Sequence, residues 1–181
     1  LKIQKIKSGK KIFDWKVPPE WNVKEAYVID KFNNKIINIK NNNLHLMGYS
    51  IPINRIISKK NLVSRLHSLP NQPDAIPYLT SYYKKNWGFC VNDKQKKEIL
   101  KKYKENDKFK VVINSSFKNQ GYLNYGEILL KGKSKQEILI STYICHPSMA
   151  NDELSGTIVS MSLIYYFKKF KKLKKSLRFI F

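Results

Sequence analysis

The chain has 181 residues, 42% of them hydrophobic, and 35 Lys and Arg against 13 Asp and Glu give a formal net charge of +22 at pH 7. This length bounds it to one domain, or a small domain with part of another. No apolar run approaches a membrane span and no signal-peptide pattern is present, so a membrane-spanning class is excluded and a cytoplasmic setting is expected. The positive charge does not by itself make a nucleic-acid reader. Only Arg55, Arg65 and Arg178 are arginines, and phosphate and base recognition favour the planar guanidinium fork over lysine. The lysine clusters at 94–104 and 168–175 fall on predicted helix faces or ends, so specific nucleic-acid binding is not expected, although polyanions should be attracted at low salt.

Taken in order, residues 1–12 are polar and basic. Phe13 to Trp21 sets aromatics among prolines, and Val17-Pro18-Pro19 favours extended backbone. Glu25–Asp30 and Lys35–Ile39 read as two strands joined at Phe32-Asn33-Asn34, with Asn able to take positive φ. Leu44–Ser50 reads as another strand, placing His45 among apolar neighbours. Leu62, Val63, Leu66 and Leu69 predict a short amphipathic helix over 61–69, capped by Ser58 and stopped by Pro70 and Pro73, with His67 on it. Tyr78, Tyr82, Tyr83, Trp87 and Phe89 follow as an aromatic cluster that is either core or the wall of a ligand pocket. Asn92 or Asp93 can cap a helix running to Tyr103. Strands are predicted at 109–117, 121–131 and 137–145, a helix at 157–170 with Ile158, Met161, Ile164 and Tyr165 on one face, and a strand at 177–181. The last three elements form a β-helix-β unit with parallel strands. Cys90 and Cys145 lie in apolar, strand-like contexts and are expected to be buried free thiols. Cys145 and His146 are adjacent on an extended chain, so they point apart and do not form a nucleophilic pair.

The stretch Ser141-Thr-Tyr-Ile-Cys-His146-Pro147-Ser-Met-Ala-Asn-Asp152-Glu-Leu-Ser155-Gly156 places a His and an Asp in a short loop between a strand and a helix. In open α/β sheets ligands bind at the carboxyl ends of strands. Imidazole nitrogen and carboxylate oxygen suit zinc. By spacing alone the pair also fits ordinary loop groups, and two residues cannot close a zinc site. Pro147 is expected to end strand pairing beyond His146, and Ser155 and Gly156 to start the helix.

The string Cys145-His-Pro-Ser-Met-Ala-Asn-Asp152-Glu-Leu-Ser-Gly156 resembles the first metal-binding segment of a family of bacterial aminopeptidase-like proteins often placed in polysaccharide biosynthesis. Phe13-Asp14-Trp15, Glu20-Trp21, Asn43-Leu44-His45-Leu46, Ile76-Pro77-Tyr78, Trp87-Gly88-Phe89-Cys90 and Tyr125-Gly126-Glu127 carry the same resemblance across roughly residues 8–165. It implies an α/β fold: the start of a zinc-aminopeptidase-like α/β domain (residues 1–11 and 106–181, incomplete) with an inserted small β-rich domain at 12–105. It also implies His146 as a terminal metal ligand, Asp152 as a carboxylate bridging two metals, and about two zincs per full-length chain. The general base and remaining ligands are expected beyond Phe181, so this piece is expected to be an inactive fragment, cut at both ends and poorly stable alone. The implied activity is hydrolysis of a peptide bond beside a free amino terminus, on a peptide or aminoacyl small-molecule substrate. The alternative is a non-hydrolytic binding or accessory role in a polysaccharide-biosynthesis pathway. A homo-oligomer is compatible with either.

Overall fold

The computed structural model describes residues 1–146, 148 and 150–181. The expectation that Pro147 ends the strand therefore lies outside the described residues. The chain falls into two compact units: Leu1–Val17 with Gln120–Phe181, and Pro18–Asn119.

The first unit opens with β1 (Lys2–Lys7), followed by a short hairpin of β2 (Lys11–Ile12) and β3 (Trp15–Lys16). Phe13 sits in that hairpin's turn at φ 53°.

The inserted unit carries β4 (Glu20–Ile29), β5 (Lys35–Asn38), β6 (Ile53–Ser58), α1 (Lys59–Val63), β7 (Leu66–His67), β8 (Phe89–Cys90), α2 (Asp93–Lys102) and β9 (Lys108–Lys118). Its main sheet is antiparallel, in the order β5-β4-β9-β6. Alternation in β9 buries Phe109, Val111, Ile113 and Ser115 on one face. They join Val28, Leu62 and Phe89 in the core of this unit or its edge. The β4–β5 turn has Asn33 at φ 67°, as Asn tolerates. Lys59 is buried and donates through Nζ to the carbonyls of Leu100 (2.9 Å) and Tyr103 (2.7 Å). It thereby neutralises the C-terminal end of α2.

Several sequence expectations shift here for visible reasons. Leu44–Ser50 is not a strand. The Asn42 side chain accepts from Leu44 N (2.9 Å) and starts a 3₁₀ turn over Asn43–His45. The helix expected over 61–69 stops at Val63, because Arg65 and His67 instead accept through their carbonyls from Phe89 N (2.8 Å) and Val91 N (2.9 Å). His67 consequently lies on β7, paired with Cys90. Residues 108–118 were assigned by sequence to the host domain, but β9 is hydrogen-bonded on both sides within the inserted sheet.

The first unit resumes with β10 (Tyr122–Leu130), β11 (Glu137–Ser141), α3 (Asn151–Phe167) and β12 (Ser176–Ile180). Its sheet runs β1-β10-β12-β11, antiparallel except for the parallel pair β11/β12. The expected β-helix-β unit is present. One sheet face, bearing Ile128, Ile140, Leu177 and Phe179, packs on Ile164 and Leu163 of α3. The other carries a polar ladder in which Arg178 bonds Glu137 through two nitrogens (2.7 and 2.9 Å) and also pairs with Glu127, which accepts from Gln4 (3.1 Å). The predicted apolar face of α3 is only partly the buried one. Ile164 is buried, but Ile158, Met161 and Tyr165 are at least 59% exposed, while Glu153 and Ser160 are covered. Apolar and small polar residues are intermixed around this helix, so periodicity alone does not choose its contact face.

Asp30, at the end of β4, accepts from Phe32 N (2.9 Å), Asn34 N (2.8 Å), the Asn34 side chain (3.3 Å) and the Tyr103 hydroxyl (2.7 Å). Burial pushes its carboxyl up, but these donors outweigh burial and hold it below the ordinary value. A carboxylate depressed in the fold contributes stability above its unfolded pKa of 3.8 and loses that contribution as pH falls through its folded value. Asp30→Asn is expected to cost about 2–3 kcal/mol at neutral pH, with the gap to wild type narrowing on acidification below 3.8. Urea denaturation of both chains at neutral and acid pH checks this.

Candidate metal site

β11 ends at Ser141, and Thr142 N still donates to Ile180 O (2.9 Å). Tyr143 to His146 then leaves the sheet in irregular backbone. The strand is thus four residues shorter than its apolar pattern suggests. Cys145 consequently stands exposed in the loop rather than buried, unlike Cys90. α3 begins at Asn151, earlier than expected. Asp152 and Glu153 lie in its first turn, where acidic groups meet the positive end of the helix dipole. Ser155 is inside the helix and donates to Asn151 O (2.6 Å) rather than capping it. Gly156 is required for close approach, because a Cβ there would stand 2.4 Å from Thr142 Oγ1.

Glu153 organises the loop. It is 2% exposed, and its Oε1 accepts from the backbone N–H of Cys145 (3.0 Å) and of His146 (2.9 Å). Burial alone would push its carboxyl up, but bonding from the Cys145 side chain and from these backbone groups, with the His146 ring nearby, leaves it below the ordinary value. Although Cys145 is exposed as a residue, its thiol is pushed up to about 11, first by partial desolvation and then by the Glu153 carboxylate. Glu153 Oε2 is buried without a hydrogen-bond partner among the described residues.

The two ligands anticipated from sequence are brought together. His146 Nε2 lies 3.5 Å from Asp152 Oδ2 and 3.4 Å from Glu153 Oε1. Tyr143 donates its hydroxyl to the other oxygen, Asp152 Oδ1, at 2.5 Å. That bond is the main reason the Asp152 carboxyl sits below, and the Tyr143 hydroxyl above, its ordinary value. Two ligands bonded at about 2.0–2.2 Å to one tetrahedral metal are separated by roughly 3.3–3.5 Å. The His146–Asp152 pair fits that spacing, with Tyr143 in the place of a group that orients a ligand. Glu153 Oε1 is at similar range but is committed to two backbone donors. Among the described residues no group of three or more His, Cys, Asp or Glu is arranged to hold a metal, so the pair alone does not close a metal site.

Sequence reading did not single out Glu153 or Tyr143. The available signal was the second carboxylate immediately after Asp152, which on a helix start must point differently from its neighbour. His45 is buried in the other unit, where its Nδ1 donates to Cys90 O (2.8 Å). His67 is half-buried there and held below its ordinary value by burial and then by Lys96 and Arg65. Neither belongs to this loop.

The model of the family described as "Domain of unknown function (DUF2172)" matches residues 20–116, more than half of the chain. The chain belongs to this family. The match falls inside the Pro18–Asn119 unit. A Clostridium acetobutylicum relative named "Putative polysaccharide biosynthesis protein with aminopeptidase-like domain" is 45% identical over 181 residues, covering 100% of this chain and 40% of its own length. A crystal structure of a "putative peptidase" from the same organism matches with a TM-score of 0.89 and 45% identity, over 99% of this chain and 41% of that one. The DUF2172 chain therefore spans about two fifths of the length of these relatives. Its mixed, sheet-rich α/β fold is similar to that of the solved structure. No helix among the described residues is long and apolar enough to cross a membrane.

The division of labour in the loop is testable by stability. Glu153→Ala strands two backbone donors and is expected to cost about 2–3 kcal/mol. Asp152→Asn, at a position 64% exposed in its side chain, is expected to stay within about 0.5 kcal/mol of wild type. Chemical denaturation of the two variants in metal-free buffer measures the contrast.

Proposed function

We propose that the full-length protein is a metal-dependent, aminopeptidase-like hydrolase and that this chain contributes two of its metal ligands, His146 and Asp152. The observation that carries the reading is the convergence of His146 Nε2 and Asp152 Oδ2 at 3.5 Å on the loop between β11 and α3, at the carboxyl end of a parallel strand. The relatives' names, which speak of an aminopeptidase-like domain and a peptidase, support the same reaction class. The host unit is then the start of a zinc-aminopeptidase-like domain, with the remaining ligands and the general base supplied from outside these residues.

Zinc, when bound, would polarise a peptide carbonyl and lower the pKa of a water molecule. The residues of this chain prepare that chemistry. Glu153 fixes the backbone of Cys145 and His146, so the imidazole is presented from a rigid support. Tyr143 engages one oxygen of Asp152 and leaves the other facing His146. The substrate class proposed is a peptide or aminoacyl compound with a free amine. The second reading, a non-hydrolytic role in polysaccharide biosynthesis, draws on the other half of the relative's name and would retain the metal ligands without the hydrolysis.

Elemental analysis and aminoacyl-arylamide hydrolysis on the full-length protein separate these. About two zincs per chain, with metal and activity both lost in His146→Ala and in Asp152→Asn, is the expected result. Bound metal without hydrolysis of any aminoacyl substrate favours the accessory role. Absence of metal, with both variants behaving as wild type, makes His146 and Asp152 structural and overturns the proposal.

A further inference from the structure

The Pro18–Asn119 unit carries a recess of about 460 Å³ that the metal-site chemistry does not use. Its walls include Tyr82, Tyr83 and Phe117, together with three polar residues, Lys84, Lys85 and Asn119. Tyr49 buttresses it from behind. The Tyr49 ring stacks on Trp21 (5.9 Å between centroids) and meets Tyr82 (5.2 Å) and Phe117 (6.2 Å), while Tyr83 stands edge-on to Tyr82 (4.8 Å).

Two of these tyrosines are held in backbone that bulky residues avoid. Tyr49 has φ 60° and Tyr82 has φ 47°. A non-glycine residue there is unfavourable, and such strain clusters at ligand clamps. A fold that needed only a turn at residue 82 would be better served by Gly or Asn. Tyr82, 39% exposed as a residue, stands there beside Tyr83, 56% exposed. No carboxylate is among the lining residues, and neither Lys84 nor Lys85 is in an ion pair among the described residues.

We infer that this recess binds a short anionic saccharide of the uronic-acid type. Pyranose rings present flat C–H faces that pack on tyrosine rings, their carboxylates pair with lysine ammonium groups, and their hydroxyls suit the Asn119 amide. The volume lies in the range of small-molecule sites. Single-stranded nucleic acid also stacks on aromatic rings, but it calls for a groove that follows several nucleotides of backbone. This recess is short and has no arginine in its lining. The inference requires neither metal nor hydrolysis, so its outcome is independent of the loop at His146.

Calorimetric titration of the full-length protein with trigalacturonate, with maltotriose as the neutral comparison and hexauridylate as the nucleic-acid comparison, tests it. Trigalacturonate is expected to bind at least about tenfold more tightly than either. Tyr83→Ala and the double variant Lys84→Ala/Lys85→Ala are each expected to weaken it about tenfold. Non-specific attraction to a chain of net charge +22 would hardly notice the loss of two lysines. Tyr82→Gly is expected to weaken binding while leaving the thermal midpoint equal to or above that of wild type, because glycine relieves the strained φ. No binding of trigalacturonate, equal binding by the lysine variant, or tighter binding of hexauridylate overturns the inference.

Discussion

The loop between β11 and α3 depends on one buried carboxylate. Backbone that leaves a sheet edge carries N–H groups that must find acceptors. Here Glu153 reaches back from the first helical turn to take those of Cys145 and His146. The helix dipole favours a negative charge at that end, and the same carboxylate sits beside the imidazole. One side chain therefore ties the first turn of the helix to the loop backbone that carries His146. Gly156 completes the arrangement by letting α3 close onto Thr142. Asp152, the neighbour of Glu153, faces outward and accepts from Tyr143 instead. The two adjacent acids differ in role because successive helical positions point about 100° apart.

The inserted unit solves a different problem. Its core is large relative to its size, and its buried polar groups are matched. Asp30 gathers donors around the β4–β5 turn, Lys59 is covered by carbonyls at the end of α2, and Ser115 donates to Ser50 O at 2.7 Å. Against this background Tyr49 and Tyr82 stand out as two bulky residues in left-handed backbone. The host unit contrasts with it. Its buried core is small, and α3 leaves several large apolar side chains uncovered.

Much of this was legible in the sequence, for reasons that can be named. The β4–β5 hairpin was marked by Asn33, the α2 cap by Asn92, whose side chain accepts from Gln95 N at 2.7 Å, and the parallel β11/β12 pair by the helix between two apolar runs. His146 and Asp152 were singled out through the resemblance of the 145–156 string to a metal-binding segment, since by spacing alone such a pair also fits ordinary loop groups. What escaped has two causes. The turn over Asn43–His45 is set by a short-range bond, from Leu44 N to the Asn42 side chain, that sits just ahead of the apolar run. The helix expected over 61–69 is cut short by distant partners, since Phe89 and Val91 bond the carbonyls of Arg65 and His67. The contact face of α3 was hidden because its apolar and small polar residues are spread around the helix, which leaves no amphipathic signature. Glu153 was hidden because its acceptor role needs the backbone geometry of a loop that only the fold defines.

The strands that carry the chain into and out of the inserted unit are each other's partners: Glu20 pairs with Lys118 and Trp21 with Phe117. Entry and exit are thus one strand spacing apart, roughly 4.7–4.9 Å. For the host, an excursion of about a hundred residues has the same end-to-end geometry as a tight hairpin, and the entropy of closing so long a loop is absorbed within the insertion's own sheet. The insertion therefore has the geometry of an exchangeable cassette, able to be gained, lost or replaced between Val17 and Gln120 without changing the distance the host backbone must span there.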